Sequence, residues 1–113
     1  MTDCIFCKIV AGEIPATVVY QDEEILVFED INPKAPVHLL LIPKQHTATL
    51  NDAGPQQAQL LGQLTLKAAE LAEEKGVAQG GYRVQINCNP DGGQVVFHLH
   101  MHLMGGRKLE CLT

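Results

Sequence analysis

The sequence predicts an α+β fold built on an antiparallel sheet. Segments of strand character form a block of three and a block of two, split by one long stretch with helical 3–4 spacing. Connections inside each block are of hairpin length, which suits antiparallel neighbours.

The elements follow in order. Residues 4–12 read as a short helix ending near Gly12. Thr17 to Tyr20 and Ile25 to Glu29 are β-branched and aromatic, and the polar Gln21-Asp22-Glu23-Glu24 between them reads as a hairpin turn. Asn32-Pro33-Lys34-Ala35-Pro36 is a rigid turn, because two prolines exclude helix and disfavour a central strand. Val37 to Ile42 is an apolar run with one histidine inside, and reads as a buried strand ending at Pro43. Pro55 suits the first turn of the long helix and is preceded by Asn51-Asp52 and Gly54. Leu60, Leu64, Ala68, Leu71 and Ala72 make its apolar face, with Gln59, Gln63, Lys67, Glu70 and Glu74 between them and Gly76 as the stop. Tyr82 to Asn87 is the next strand, Asn89-Pro90-Asp91-Gly92-Gly93 a loop, and Val95 to Leu103 the last strand, closed by Gly105-Gly106.

At 113 residues the chain is expected to be one domain, 1–113, with one modest core. A formal net charge of −5 argues against nucleic acid as a partner, which needs a basic patch. It leaves room for a small phosphate ligand, held by backbone N–H groups, imidazole or one arginine. No stretch approaches the roughly 18–20 apolar residues that span a bilayer, and Met1-Thr2-Asp3-Cys4 lacks the charged start of a signal peptide. The expectation is a cytoplasmic protein without a membrane partner. Its four cysteines are then not a disulfide framework. Cys4-Ile5-Phe6-Cys7 is a redox pair, half a metal site, or two small residues on one face of a helix; Cys88 and Cys111 read as structural.

The chemistry concentrates in His98-Leu99-His100-Met101-His102-Leu103-Met104. In an extended strand a period of two puts the three imidazoles on one face, and Phe97, Leu99, Met101 and Leu103 on the other. Imidazole works near neutral pH as nucleophile, base or ligand, so a row of three reads as a site rather than a solvated edge strand. Three further features gain weight beside it. Asp91-Gly92-Gly93-Gln94 lets backbone N–H groups approach an oxyanion, although Asp-Gly is also a common hairpin turn. Asp30, after an apolar strand, is placed to accept two ribose hydroxyls or to cap a turn. His38, alone in its strand, would by itself be an ordinary core histidine.

Together these residues resemble the histidine triad superfamily. The stretches Asp30-Ile31-Asn32-Pro33-Lys34-Ala35-Pro36-Val37-His38, Ile42-Pro43-Lys44-Gln45-His46 and Gly92-Gly93-Gln94, with His98-x-His100-x-His102 and Gly105-Gly106-Arg107, are similar to its Hint branch of nucleotide-binding phosphoramidases. The resemblance runs from about Cys4 to Arg107. It implies a histidine triad fold, a five-stranded antiparallel sheet with one long and one short helix, and a homodimer. It also implies a purine nucleoside monophosphate ligand, phosphoramidate substrates and no organic cofactor. His100 corresponds to the nucleophile that forms a nucleotidyl-histidine, and His38, His98 and His102 to its supporting histidines. Asp30 corresponds to the ribose carboxylate, and Phe6, Phe28 and Ile31 to the base pocket. Asn87, Gly93 and the backbone near Gln94 and Val95 correspond to the phosphate end, where His100 and His102 also meet the ligand.

Two departures stand out. Val95 occupies a position where many Hint proteins carry a serine, and valine relays no proton. The tail after Arg107 is short. In other branches a C-x-x-C pair joins two histidines around structural zinc, and the matching positions are Cys4, Cys7, His46 and His98. Two other functions stay open. A nucleotide-binding regulatory module with little turnover is favoured by Val95 alone, and a hydrolase with catalytic zinc on His98 and His100 leaves Asp30 and Gly92-Gly93 unexplained.

Overall fold

A computed structural model describes residues 3–110. The elements come in the predicted order: α1 (Ile5–Val10), β1 (Val18–Gln21), β2 (Ile25–Glu29), β3 (Val37–Pro43), α2 (Ala58–Glu74), β4 (Tyr82–Ile86) and β5 (Met101–Gly105). The five strands form one sheet in the order β1-β2-β3-β5-β4, and every neighbouring pair is antiparallel. The last strand in sequence is therefore inserted between β3 and β4. β1 is displaced by one residue from its expected span and carries an irregularity between Val18 and Tyr20.

Both faces of the sheet are covered at its centre, which is why β2 and β3 read as continuous apolar runs rather than alternating ones. One face packs Ile25, Val27, Leu39, Leu41, Leu99, Met101 and Leu103 against Leu64, Ala68, Leu71 and Ala72 of α2. The other packs Leu26, Phe28, Leu40 and Ile42 against Phe6 of α1. The short helix is capped by a thiol: Cys4 Sγ accepts from the Cys7 N–H. Gly12 and Gly76 take positive φ beyond the two helix ends, as a glycine stop requires.

One expectation is corrected. The segment Val95 to Leu103 is not a strand throughout: the ladder begins only at Met101. One partner runs out there, since Met101 pairs with Ile86, the last residue of β4, while β3 continues past Leu41 to Pro43 in register with β2. The backbone before it bonds elsewhere, with the Leu99 N–H donating to the Thr47 carbonyl at 2.7 Å. Phe97, expected on the core face, is 40% exposed and outside both cores. From Leu99 onward the alternation survives, with Leu99, Met101 and Leu103 toward α2, while His98 and His100 pack edge-on against Phe6.

Candidate active site and metal centre

His38, on β3, lies on the α1 side of the sheet, two residues from Leu40, which pairs directly with His102 of β5. The two histidines are thus diagonal neighbours across the strand pair, and His38 Nε2 lies 2.9 Å from His102 Nδ1. The His100 ring lies beside His102, with centroids 5.0 Å apart.

Hydrogen-bond partners assign each ring its proton. His100 Nδ1 sits 2.7 Å from the His98 carbonyl, so Nδ1 carries the hydrogen and Nε2 keeps a free lone pair. His98 Nε2 sits 2.7 Å from the Pro43 carbonyl, which leaves its Nδ1 lone pair free. His38 Nδ1 accepts from the Lys34 backbone N–H at 3.0 Å, so its hydrogen is on Nε2. His102 Nδ1 then accepts from His38, and its own hydrogen is on Nε2.

Asp30 follows β2 and is half-buried. Its Oδ1 accepts from the Asn32 N–H at 2.7 Å, and its Oδ2 lies 3.4 Å from His38 Nε2. Phe6 and Phe28 are buried with an edge-on contact at 5.4 Å, whereas Ile31 is 91% exposed. In the loop before the triad, Gly93 has φ +90°, and Asn87 Nδ2 donates to the Gly92 carbonyl at 2.6 Å. The Gln94 side chain is turned inward. It accepts from the Asn89 N–H and donates to the Ala48 and Val96 carbonyls, so its side-chain amide is engaged within the protein. Val95 is 86% exposed.

A second cluster gathers Cys4, Cys7, His46 and His98, whose ligand atoms all lie within 4.8 Å of one another. Cys4 Sγ is 3.4 Å and Cys7 Sγ 3.5 Å from His98 Nδ1, while His46 Nδ1 is 3.2 Å from both Cys7 Sγ and His98 Nδ1. Tetrahedral zinc, at about 2.3 Å from sulfur and about 2.0–2.1 Å from nitrogen, sets such atoms roughly 3.3–3.6 Å apart. The spacing fits, and the His98 tautomer presents the lone pair a metal needs. His100 contributes no atom to this cluster. With one His98 nitrogen in it and the other on Pro43, no nitrogen is left for a catalytic metal shared with His100.

Comparison with known proteins agrees with this geometry. The family described as scavenger mRNA decapping enzyme C-term binding matches residues 3–111. HitA of Neisseria gonorrhoeae is 53% identical over 105 residues, covering 93% of this chain and 97% of that protein. The purine nucleoside phosphoramidase of Escherichia coli K12 is 48% identical over 107 residues, covering 95% of this chain and 90% of that enzyme. The crystal structure of a HIT family hydrolase from Legionella pneumophila superposes with a TM-score of 0.94 at 51% identity, covering 96% of each chain. The chain belongs to the histidine triad family. A zinc-bound histidine triad protein from Mycobacterium smegmatis also superposes, with a TM-score of 0.83 at 34% identity, covering 98% of this chain and 80% of that one.

The triad stands in a dry environment that keeps its rings neutral. Burial lowers the pKa of His38, His98 and His100 below the ordinary histidine value. His102 is pushed down to about 4, first by burial and then by the neighbouring His100 and His38. Desolvation therefore keeps the triad rings in the form that holds a lone pair at neutral pH. The residue pattern marks these histidines but not the backbone partners of His38 and His98, the Lys34 N–H and the Pro43 carbonyl. Main-chain donors and acceptors leave no mark in residue identity. Cys88 is half-buried as a free thiol, and Cys111 lies outside the described residues.

Proposed function

We propose that this chain is a purine nucleoside phosphoramidate hydrolase. The observation that carries the reading is the hydrogen bond from His100 Nδ1 to the His98 carbonyl, which leaves Nε2 as a neutral nucleophile. His100 Nε2 attacks the α-phosphorus, the P–N bond breaks, and the nitrogen departs as an amine with a proton taken from solvent, which the water of the second step returns. A nucleotidyl-histidine remains. Water then attacks the same phosphorus and releases the nucleoside monophosphate and the free imidazole. His102 Nε2–H and the backbone around Gly93 to Val95 donate to the equatorial oxygens as charge builds there. His38 supports His102, and Phe6, Phe28 and Ile31 form the base side, with exposed Ile31 as the surface a base slides over. The 48% identical phosphoramidase supports this assignment. Adenosine 5′-phosphoramidate is the test substrate. The expected outcome is release of AMP, with an acid-labile nucleotidyl adduct trapped on His100 by alkaline quench. Binding of AMP without adduct or turnover would favour the regulatory module.

Asp30 is assigned to the ribose. A carboxylate accepting two hydroxyls leaves an unpaired acceptor when one is missing, so the protein is expected to prefer ribo- over 2′-deoxyribonucleotides. Asp30→Ala is expected to erase most of that preference. Equal selectivity in both proteins, measured by titration with AMP and 2′-deoxy-AMP, would remove Asp30 from this role.

Structural zinc at Cys4, Cys7, His46 and His98 belongs to the same proposal. Its support is the fit of the ligand spacing and the zinc-bound relative. The metal would polarise no substrate bond; it would tie α1 to the residues that lead into the triad. A homodimer is proposed as well. β4 ends the sheet with Tyr82 and Val84 partly exposed, an edge suited to a second copy.

A further inference from the structure

The row of rings ends in a backbone group outside the triad. Lys34 lies in the Pro33-to-Pro36 turn, and its N–H donates to His38 Nδ1. We infer that this N–H is the positioning group that makes His102 a hydrogen-bond donor toward an anionic ligand. The inference rests on reading the His100/His102 face as a phosphate site.

The logic is one of proton counting. A neutral imidazole has one N–H, and His38 faces His102 through Nε2. With Lys34 donating to Nδ1, the His38 hydrogen must sit on Nε2, and it points at His102 Nδ1. His102 can then carry its hydrogen only on Nε2. Without the Lys34 donor, the opposite arrangement becomes available: His102 Nδ1–H donates back to His38, and His102 Nε2 becomes a bare lone pair. A phosphate oxygen is attracted by the first arrangement and repelled by the second. Asp30 reinforces the first, since its Oδ2 lies on the Nε2 side of His38 at 3.4 Å.

The turn that carries the donor is held firmly. Prolines flank it at 33 and 36, Arg107 Nη2 donates to the Lys34 carbonyl, and Gly106 lies against Pro36. Gly106 has φ +101°, and a Cβ there would come within 2.8 Å of Pro36 Cβ. The end of β5 thus braces the peptide that orients the residue at its start.

The same N–H argues against a competing use of this corner. Asp30, His38 and His102 bring ligand atoms within 4.8 Å of one another, the donor set of a two-histidine, one-carboxylate metal centre. A metal would need the His38 Nε2 lone pair, and Lys34 assigns a hydrogen to that atom.

The test replaces the Pro33–Lys34 peptide bond by an ester through chemical ligation, which deletes the N–H and keeps the side chain. Imidazole ¹⁵N shifts of His38 and His102 report the tautomers without ligand or turnover, so the result stands apart from whether the chain is a phosphoramidase. The native protein is expected to show Nε2–H on both rings. The ester is expected to shift both toward Nδ1–H and to weaken AMP binding by roughly ten- to a hundred-fold. Lys34→Pro, which also lacks the N–H, is expected to do the same. Nδ1–H on His38 in the native protein, unchanged tautomers in a folded ester protein, or changed tautomers with native AMP affinity would each overturn the inference.

Discussion

His100→Ala is expected to abolish turnover of adenosine phosphoramidate while the protein stays folded. His100 is held on two sides, by its Nδ1 bond to the His98 carbonyl and by the edge of Phe6 with centroids 5.1 Å apart. Those contacts aim Nε2 and lock the tautomer, so the ring arrives at phosphorus with its lone pair forward. Alanine removes the atom proposed to form the covalent bond. The loss should exceed the roughly 10²–10⁴ attributed to acid–base help alone, because no neighbouring ring takes over. His102 points its lone pair at His38, and His98 points its own at the cysteine cluster. The fold should survive: the β5 ladder starts at Met101, after the substituted residue, and the α2-side core is untouched. Single-turnover kinetics and thermal melting check the two halves. Near-native turnover by the variant would remove His100 as the nucleophile.

Removal of zinc is expected to have the largest effect on stability. Cys4, Cys7, His46 and His98 come from α1, the segment after β3 and the approach to β5, so one ion would cross-link three separate parts of the chain. A ligand that binds only the native state adds RT ln(1 + [L]/Kd), about 4 kcal/mol at a thousand-fold excess over Kd. At about 4–8 °C per kcal/mol for a domain of roughly this size, chelation should lower Tm by well over 10 °C. Activity per folded molecule should fall less, because His100 is not a ligand. The remaining fall would come from His98, whose carbonyl orients the nucleophile. Elemental analysis of protein purified without chelator, with melting before and after metal removal, decides it. Metal well below one equivalent with an unchanged melt would leave a pair of half-buried thiols.

Much of this protein was legible in its residues because side-chain patterns follow local geometry. The 3–4 spacing of Leu64, Ala68, Leu71 and Ala72 marked the buried face of α2. The period of two carried His98, His100 and His102 to the side away from α2, even where the ladder is absent. The cysteine pair and two distant histidines match one ligand set of the family pattern, and the fold brings their ligand atoms together. The helix stops at Gly12 and Gly76 could be read because a positive φ selects glycine.

Other features were decided only by tertiary structure. The insertion of β5 between β3 and β4 follows from which edges find partners, and that depends on segments distant in sequence. The start of its ladder at Met101 coincides with the end of β4 at Ile86 and with the turn of the preceding backbone toward Thr47, so a continuous apolar stretch from Val95 did not become a continuous strand. Phe97 left the core for the same reason. Above all, the proton on each imidazole was decided by main-chain atoms: the His98 and Pro43 carbonyls and the Lys34 N–H. Every residue except proline carries the same backbone donor and acceptor, so residue identity holds no record of which one will face a ring. The sequence alone determined which side chains are candidates for the chemistry. Packing alone determined which nitrogen of each is free to act.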